Sequence, residues 1–107
     1  MDSERRRSAR YRFIADTEIT EIASNKRLGA RSSDLSMGGC FLDMLNPSPE
    51  GARIQVTVRH ASASFTALGR VVFVFPKVGM GVVFTNVEED QLPVLRKWLA
   101  DLSGGKE

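Results

Sequence analysis

One cysteine and one histidine in 107 residues close off two kinds of chemistry at the outset. Cys40 by itself forms no intramolecular disulfide, and with His60 it still falls short of a structural zinc set. Cys40, beside Phe41 in a strand-like run, reads as a small half-buried core residue. His60 reads as a loop or strand-end residue. The longest run of large apolar residues, Val71–Phe75, is far too short to span a bilayer. The opening MDSERRR is polar and lacks the apolar segment of a secretory leader, so a cytoplasmic protein without membrane insertion is expected. No phosphate-loop motif occurs, and nothing pairs His60 with Cys40 as base and nucleophile. Neither catalysis nor a metal or cofactor is expected.

The charge is unevenly placed. Residues 1–12 hold five arginines against Asp2 and Glu4, whereas the rest of the chain holds ten basic against eleven acidic residues. A basic arm on a near-neutral body points to an anionic partner. The body reads as strands. RFIADTEITEIA (Arg12–Ala23) mixes β-branched and polar residues, and a short second strand spans about Ala30–Ser33. A third, Cys40–Met44, follows DLSMGG. RIQVTVR alternates, with Ile54, Val56 and Val58 on one face. HASAS is a small-residue hairpin connection. Phe65–Phe75 is a long strand with Phe65, Ala67, Gly69, Val71, Phe73 and Phe75 expected on one face and Gly69 at a bend or bulge. PKVGMG turns the chain into a last strand, VVFTNV. Short strands between frequent turns favour a small barrel or sandwich.

The period then changes. Leu92, Leu95, Leu99 and Leu102 fall on one helical stripe with Trp98 beside it. Asn86 and Glu89 are spaced as a capping box, while a cap at Asp90 leaves Pro93 in the first turn. We expect a helix that closes one end of the barrel. The domain reading is a basic arm over residues 1–11, a barrel with its helix over 12–102, and a disordered tail over 103–107.

Two segments carry the chemistry. Arginine presents a planar fork of donors that matches the O6/N7 edge of guanine or a phosphate. A carboxylate complements it by accepting from guanine's N1–H and N2–H. A serine hydroxyl and the backbone amides of a glycine turn can hold phosphate oxygens. RRSAR (Arg6–Arg10) and DLSMGG (Asp34–Gly39) supply these groups. With Arg5 or Arg7 as the first residue, the fifth position is Ala9 or Tyr11, so only Arg6 and Arg10 give R-x-x-x-R.

In these motifs, their order and the GMGVVF strand that follows, the sequence resembles the PilZ domains from about Glu4 to Leu102. It departs from the usual pattern at Ser8 and Ala9, where family members often carry a bulky residue and proline. The resemblance implies a mainly β fold, a small antiparallel barrel of about six strands with a C-terminal helix and a flexible N-terminal arm. It also implies a bacterial receptor for the second messenger cyclic di-GMP. By that resemblance Arg6 and Arg10 grip guanine edges and phosphates, Asp34 reads a guanine, and Ser36 and Gly39 shape the turn and approach the ligand. Arg5 and Gly38 are auxiliary. Binding would order the arm and signal to a downstream protein of unknown identity. The rival readings are a ligand-free adaptor of the same fold and a small barrel binding nucleic acid. The second is disfavoured because the phenylalanines fall in strands needed for the core. No DNA or RNA partner is expected.

Overall fold

A computed structural model describes residues 9–104. Six antiparallel strands close a barrel: β1 (Tyr11–Glu21), β2 (Arg27–Leu35), β3 (Gly39–Asp43), β4 (Arg53–His60), β5 (Ala63–Phe75) and β6 (Gly79–Asn86). The order around the barrel is β1-β2-β3-β6-β5-β4, and β1 returns to pair with β4. Two three-stranded meanders are thus joined by a single crossover between β3 and β4 and sealed along β3–β6 and β1–β4. Closure removes exposed strand edges. β2 is longer than the expected Ala30–Ser33, because Arg27 and Leu28 pair with Thr20 and Ile19 across the β1–β2 turn.

Period-two alternation builds the core. Phe13, Ala15 and Ile19 from β1, Ile54, Val56 and Val58 from β4, and Phe65, Ala67 and Val71 from β5 all point inward. Cys40, expected half-buried, is fully enclosed. His60 ends β4, as its sequence position indicated.

Helix α1 (Leu92–Leu102) buries Leu95, Trp98 and Leu99. Trp98 plugs the barrel end against Phe13, with ring centroids 5.1 Å apart, and meets His60 and Phe65 edge-on. Losing a ring packed this way typically costs about 3–5 kcal/mol. The N-cap is Gln91 rather than Asp90, with Pro93 in the first turn. Neither expected side-chain cap forms. Asn86 donates to Glu88 at 3.1 Å, and the Gln91 side-chain carbonyl accepts the Thr66 N–H at 2.8 Å, tying the helix start to β5. No helix among the described residues is long and apolar enough to cross a membrane.

The expected single face of β5 breaks after Val71. The pairing with β6 shifts between Val71 and Phe73, and Phe73 and Phe75 turn outward, 39% and 53% exposed. Their rings gather with Phe41, at centroid separations of 5.5–6.3 Å. The cause is a gap in β6: Gly81 carries no side chain, and a Cβ there would lie 2.2 Å from the Phe73 ring. Aromatic rings covering a strand glycine recover packing that the glycine forgoes. Phe73 and Phe75, expected in the core, therefore stand outside it.

Candidate functional site

The segment DLSMGG is half strand and half turn. Asp34 and Leu35 end β2, Ser36 to Gly38 form the turn, and Gly39 opens β3. Ser36 is buried and organises the turn through four contacts. Its N–H donates to the Gly39 carbonyl at 2.9 Å. Its Oγ accepts the N–H groups of Gly38 and Gly39, each at 3.1 Å, and donates to the Gly39 carbonyl at 3.3 Å. The two glycine amides are thereby satisfied within the turn. Gly39 has a steric reason to be glycine, since a Cβ would sit 2.1 Å from the Val82 carbonyl oxygen, where β3 and β6 approach closely. Gly38 joins the same seam, its carbonyl accepting the Phe84 N–H at 2.8 Å.

Asp34 faces outward because of a bulge. Leu28, Ala30 and Ser32 of β2 face the interior, and strict alternation would send Asp34 inward too. Ser33 is the extra residue that reverses the phase. Between Ser32 and Asp34 it has no counterpart on β3, and on β1 it faces two residues, Phe13 and Ile14. Ser32 holds this irregularity together. Its fully buried hydroxyl donates to the Phe13 carbonyl at 2.6 Å and accepts the Ala15 N–H at 3.1 Å. Bulges commonly re-aim a side chain beside a site. Sequence reasoning missed Ser32; the available signal was a small polar residue at an inward position of a strand.

Once aimed outward, Asp34 is held from two sides. Its Oδ1 accepts the Phe41 N–H at 2.9 Å, and Arg10 Nη1 lies 3.0 Å from both carboxylate oxygens. The side chains of Arg10 and Asp34 remain 48% and 28% exposed. Such a pair contributes only about 0–1 kcal/mol to stability. Its consequence is positional: residues 24 apart in sequence place a guanidinium against a carboxylate at the barrel surface. Arg12 sits opposite Asp34 in the strand register, yet the bond is made by Arg10. Arg5 and Arg6 lie outside the described residues. Burial pushes the neighbouring Cys40 thiol up to about 12, with the Asp34 carboxylate adding in the same direction. That thiol is no nucleophile.

A cleft of about 300 Å³ lies between the residues flanking Arg10 (Ala9, Tyr11), the turn (Met37) and α1, and neither Arg10 nor Asp34 lines it. This is at the lower edge of the size range of small-molecule sites. Among the described residues, no cluster of His, Cys, Asp or Glu is arranged to hold a metal ion.

Comparison with known proteins agrees with this architecture. The family model "PilZ domain" matches residues 4–101. The PilZ domain of YcgR from Escherichia coli, solved with c-di-GMP, superposes with a TM-score of 0.75 at 21% identity, covering 94% of this chain and 93% of that one. The Bacillus subtilis inhibitor of motility MotI/DgrA gives 0.78 at 16% identity, covering 96% of this chain but only 53% of its own. The PilZ domain of CeSA from a cellulose-synthesizing bacterium gives 0.72 at 16% identity, covering 90% and 99%. No curated protein matches. A closed six-stranded barrel with a terminal helix, matched by the family model along nearly its whole length, makes this chain a member of the PilZ domain family.

Proposed function

We propose that the protein is a cytoplasmic receptor for cyclic di-GMP that reports binding to a partner protein and carries out no catalysis itself. The observation that carries this reading is the contact between Arg10 and Asp34, which joins the R-x-x-x-R segment to the D-x-S-x-x-G turn at one surface point. The E. coli YcgR PilZ domain was solved with this ligand, which supports the reading. Arg6 and Arg10 grip guanine edges and phosphates, with Arg5 auxiliary. Asp34 accepts from a guanine's N1–H and N2–H. Ser36, Gly38 and Gly39 shape the turn on which Asp34 is mounted.

The exposed ion pair fits this role energetically. A ligand guanine must displace or share Arg10 to reach the carboxylate, and a contact worth under about 1 kcal/mol resists little. Arg10 is then already beside the ligand, where its fork engages the O6/N7 edge or a phosphate. Binding fixes the arm ahead of Arg10 against the barrel, and the partner reads that change.

Titration calorimetry with cyclic di-GMP, against GMP, cyclic GMP and a random oligonucleotide, tests the proposal. Micromolar or tighter binding of cyclic di-GMP alone is expected, which requires about 8 kcal/mol net. Arg10→Ala and Asp34→Ala should each weaken it more than tenfold, and Arg12→Ala by less than threefold. No heat at high ligand excess would defeat the reading. Salt-sensitive binding of the oligonucleotide would move the function to nucleic acid, with the Phe41–Phe73–Phe75 rings as its stacking surface.

A further inference from the structure

The cleft bordered by Ala9, Tyr11 and Met37 has one wall that belongs to neither motif. Arg96, Leu99 and Ala100 of α1 and Ser103 at its C-cap line it, and Ala9, Tyr11 and Met37 line the rest. These four residues stand at i, i+3, i+4 and i+7, so α1 and its C-cap present one stripe to the cleft. Arg96 supplies the only cation on that stripe. Its neighbour Lys97 points elsewhere and pairs with Asp101 at 3.5 Å on the exposed side of the helix. Arg96 is exposed and makes no ion pair with any acid among the described residues. The walls are otherwise largely apolar: Tyr11, Met37, Leu99 and Ala100. An open, largely apolar cleft with one guanidinium at its wall suits a planar base with an acceptor edge. Guanine presents such an edge in O6 and N7, whereas adenine places a donor amino group beside N7.

Building on the receptor reading above, we propose that this cleft receives one guanine of the ligand and that Arg96 is a specificity-determining contact to its O6/N7 edge. The helix is then part of the binding site. Ligand bridges the arm, the Asp34 turn and α1, and the element that carries Trp98 into the barrel end is coupled directly to occupancy.

Calorimetry of the full chain with cyclic di-GMP tests this, using Arg96→Ala, Arg96→Lys and the charge-matched control Lys97→Ala. Arg96→Ala should weaken binding about tenfold or more, as expected for loss of a charge-assisted bond. Lys97→Ala should change it less than twofold, and Arg96→Lys should recover only part, because an ammonium lacks the planar fork. Hydrogen exchange should slow across residues 92–103 on ligand addition in the native chain and stay unchanged in Arg96→Ala. Both side chains are exposed, so equal melting temperatures without ligand are expected for the variants. If the native chain binds but Arg96→Ala and Lys97→Ala behave alike, the role of Arg96 is refuted and the receptor reading stands. If the native chain binds no cyclic di-GMP, both fall together.

Discussion

At the scale of single residues, the site depends on side chains that never need to touch a ligand. Ser32 sits inside the barrel, yet its hydroxyl holds the bulge that turns Asp34 outward. Ser32→Ala leaves the Phe13 carbonyl and the Ala15 amide without that partner. The expected cost is about 1–3 kcal/mol in denaturant unfolding. Cyclic di-GMP affinity should fall as well, because the carboxylate loses its aim. A variant as destabilised as this but with native affinity would show that the bulge serves packing alone. Ser36 illustrates the same division of labour. Its hydroxyl is engaged by the glycine amides of its own turn, so the residue acts through shape.

At the scale of elements, the crossover between β3 and β4 is fastened by a titratable group. Glu21, at the end of β1, accepts the Ser48 hydroxyl from that crossover at 2.6 Å and the Ser24 hydroxyl at 2.8 Å. The Ser48 bond, then the Ser24 bond, holds its carboxyl below the ordinary range. A carboxyl with a depressed folded value favours the folded state above its ordinary range. That contribution is lost as pH falls through the folded value, because protonation then favours the unfolded chain. Glu21→Gln should therefore be less stable than the native chain at pH 7, and the gap should narrow toward pH 3. Urea unfolding at the two pH values measures it, and a gap independent of pH would exclude the mechanism. α1 shows how an element can keep its stripe while its cap changes. Its apolar spacing was legible, whereas the cap depended on Gln91 finding Thr66 on β5.

For the whole molecule, the barrel brings the start of β1, the Asp34 turn and one stripe of α1 to a common surface. A ligand bridging them binds the folded chain alone, so linkage requires stabilisation that grows with the logarithm of its concentration above saturation. At a hundredfold excess over Kd this amounts to about 2.7 kcal/mol, several degrees in Tm for a domain of this size. Thermal scans over a range of cyclic di-GMP concentrations check it. A plateau at saturation would mean comparable binding to the unfolded chain. The sequence by itself determined the strands, the turns and the helical stripe, because alternation, glycine and proline placement and a 3.6-residue period act over a few neighbours. It also determined which groups the arm and the turn can offer. Only the tertiary structure decided where those groups point. The outward turn of Asp34 depends on a residue that is extra against β3 and faces two residues on β1, and that of Phe73 on a register shift opposite a glycine in β6. The place of Arg96 in the cleft depends on how the C-terminal helix docks against β1 and β5. Each is a relation between distant segments, and it exists only once closing the barrel makes them neighbours.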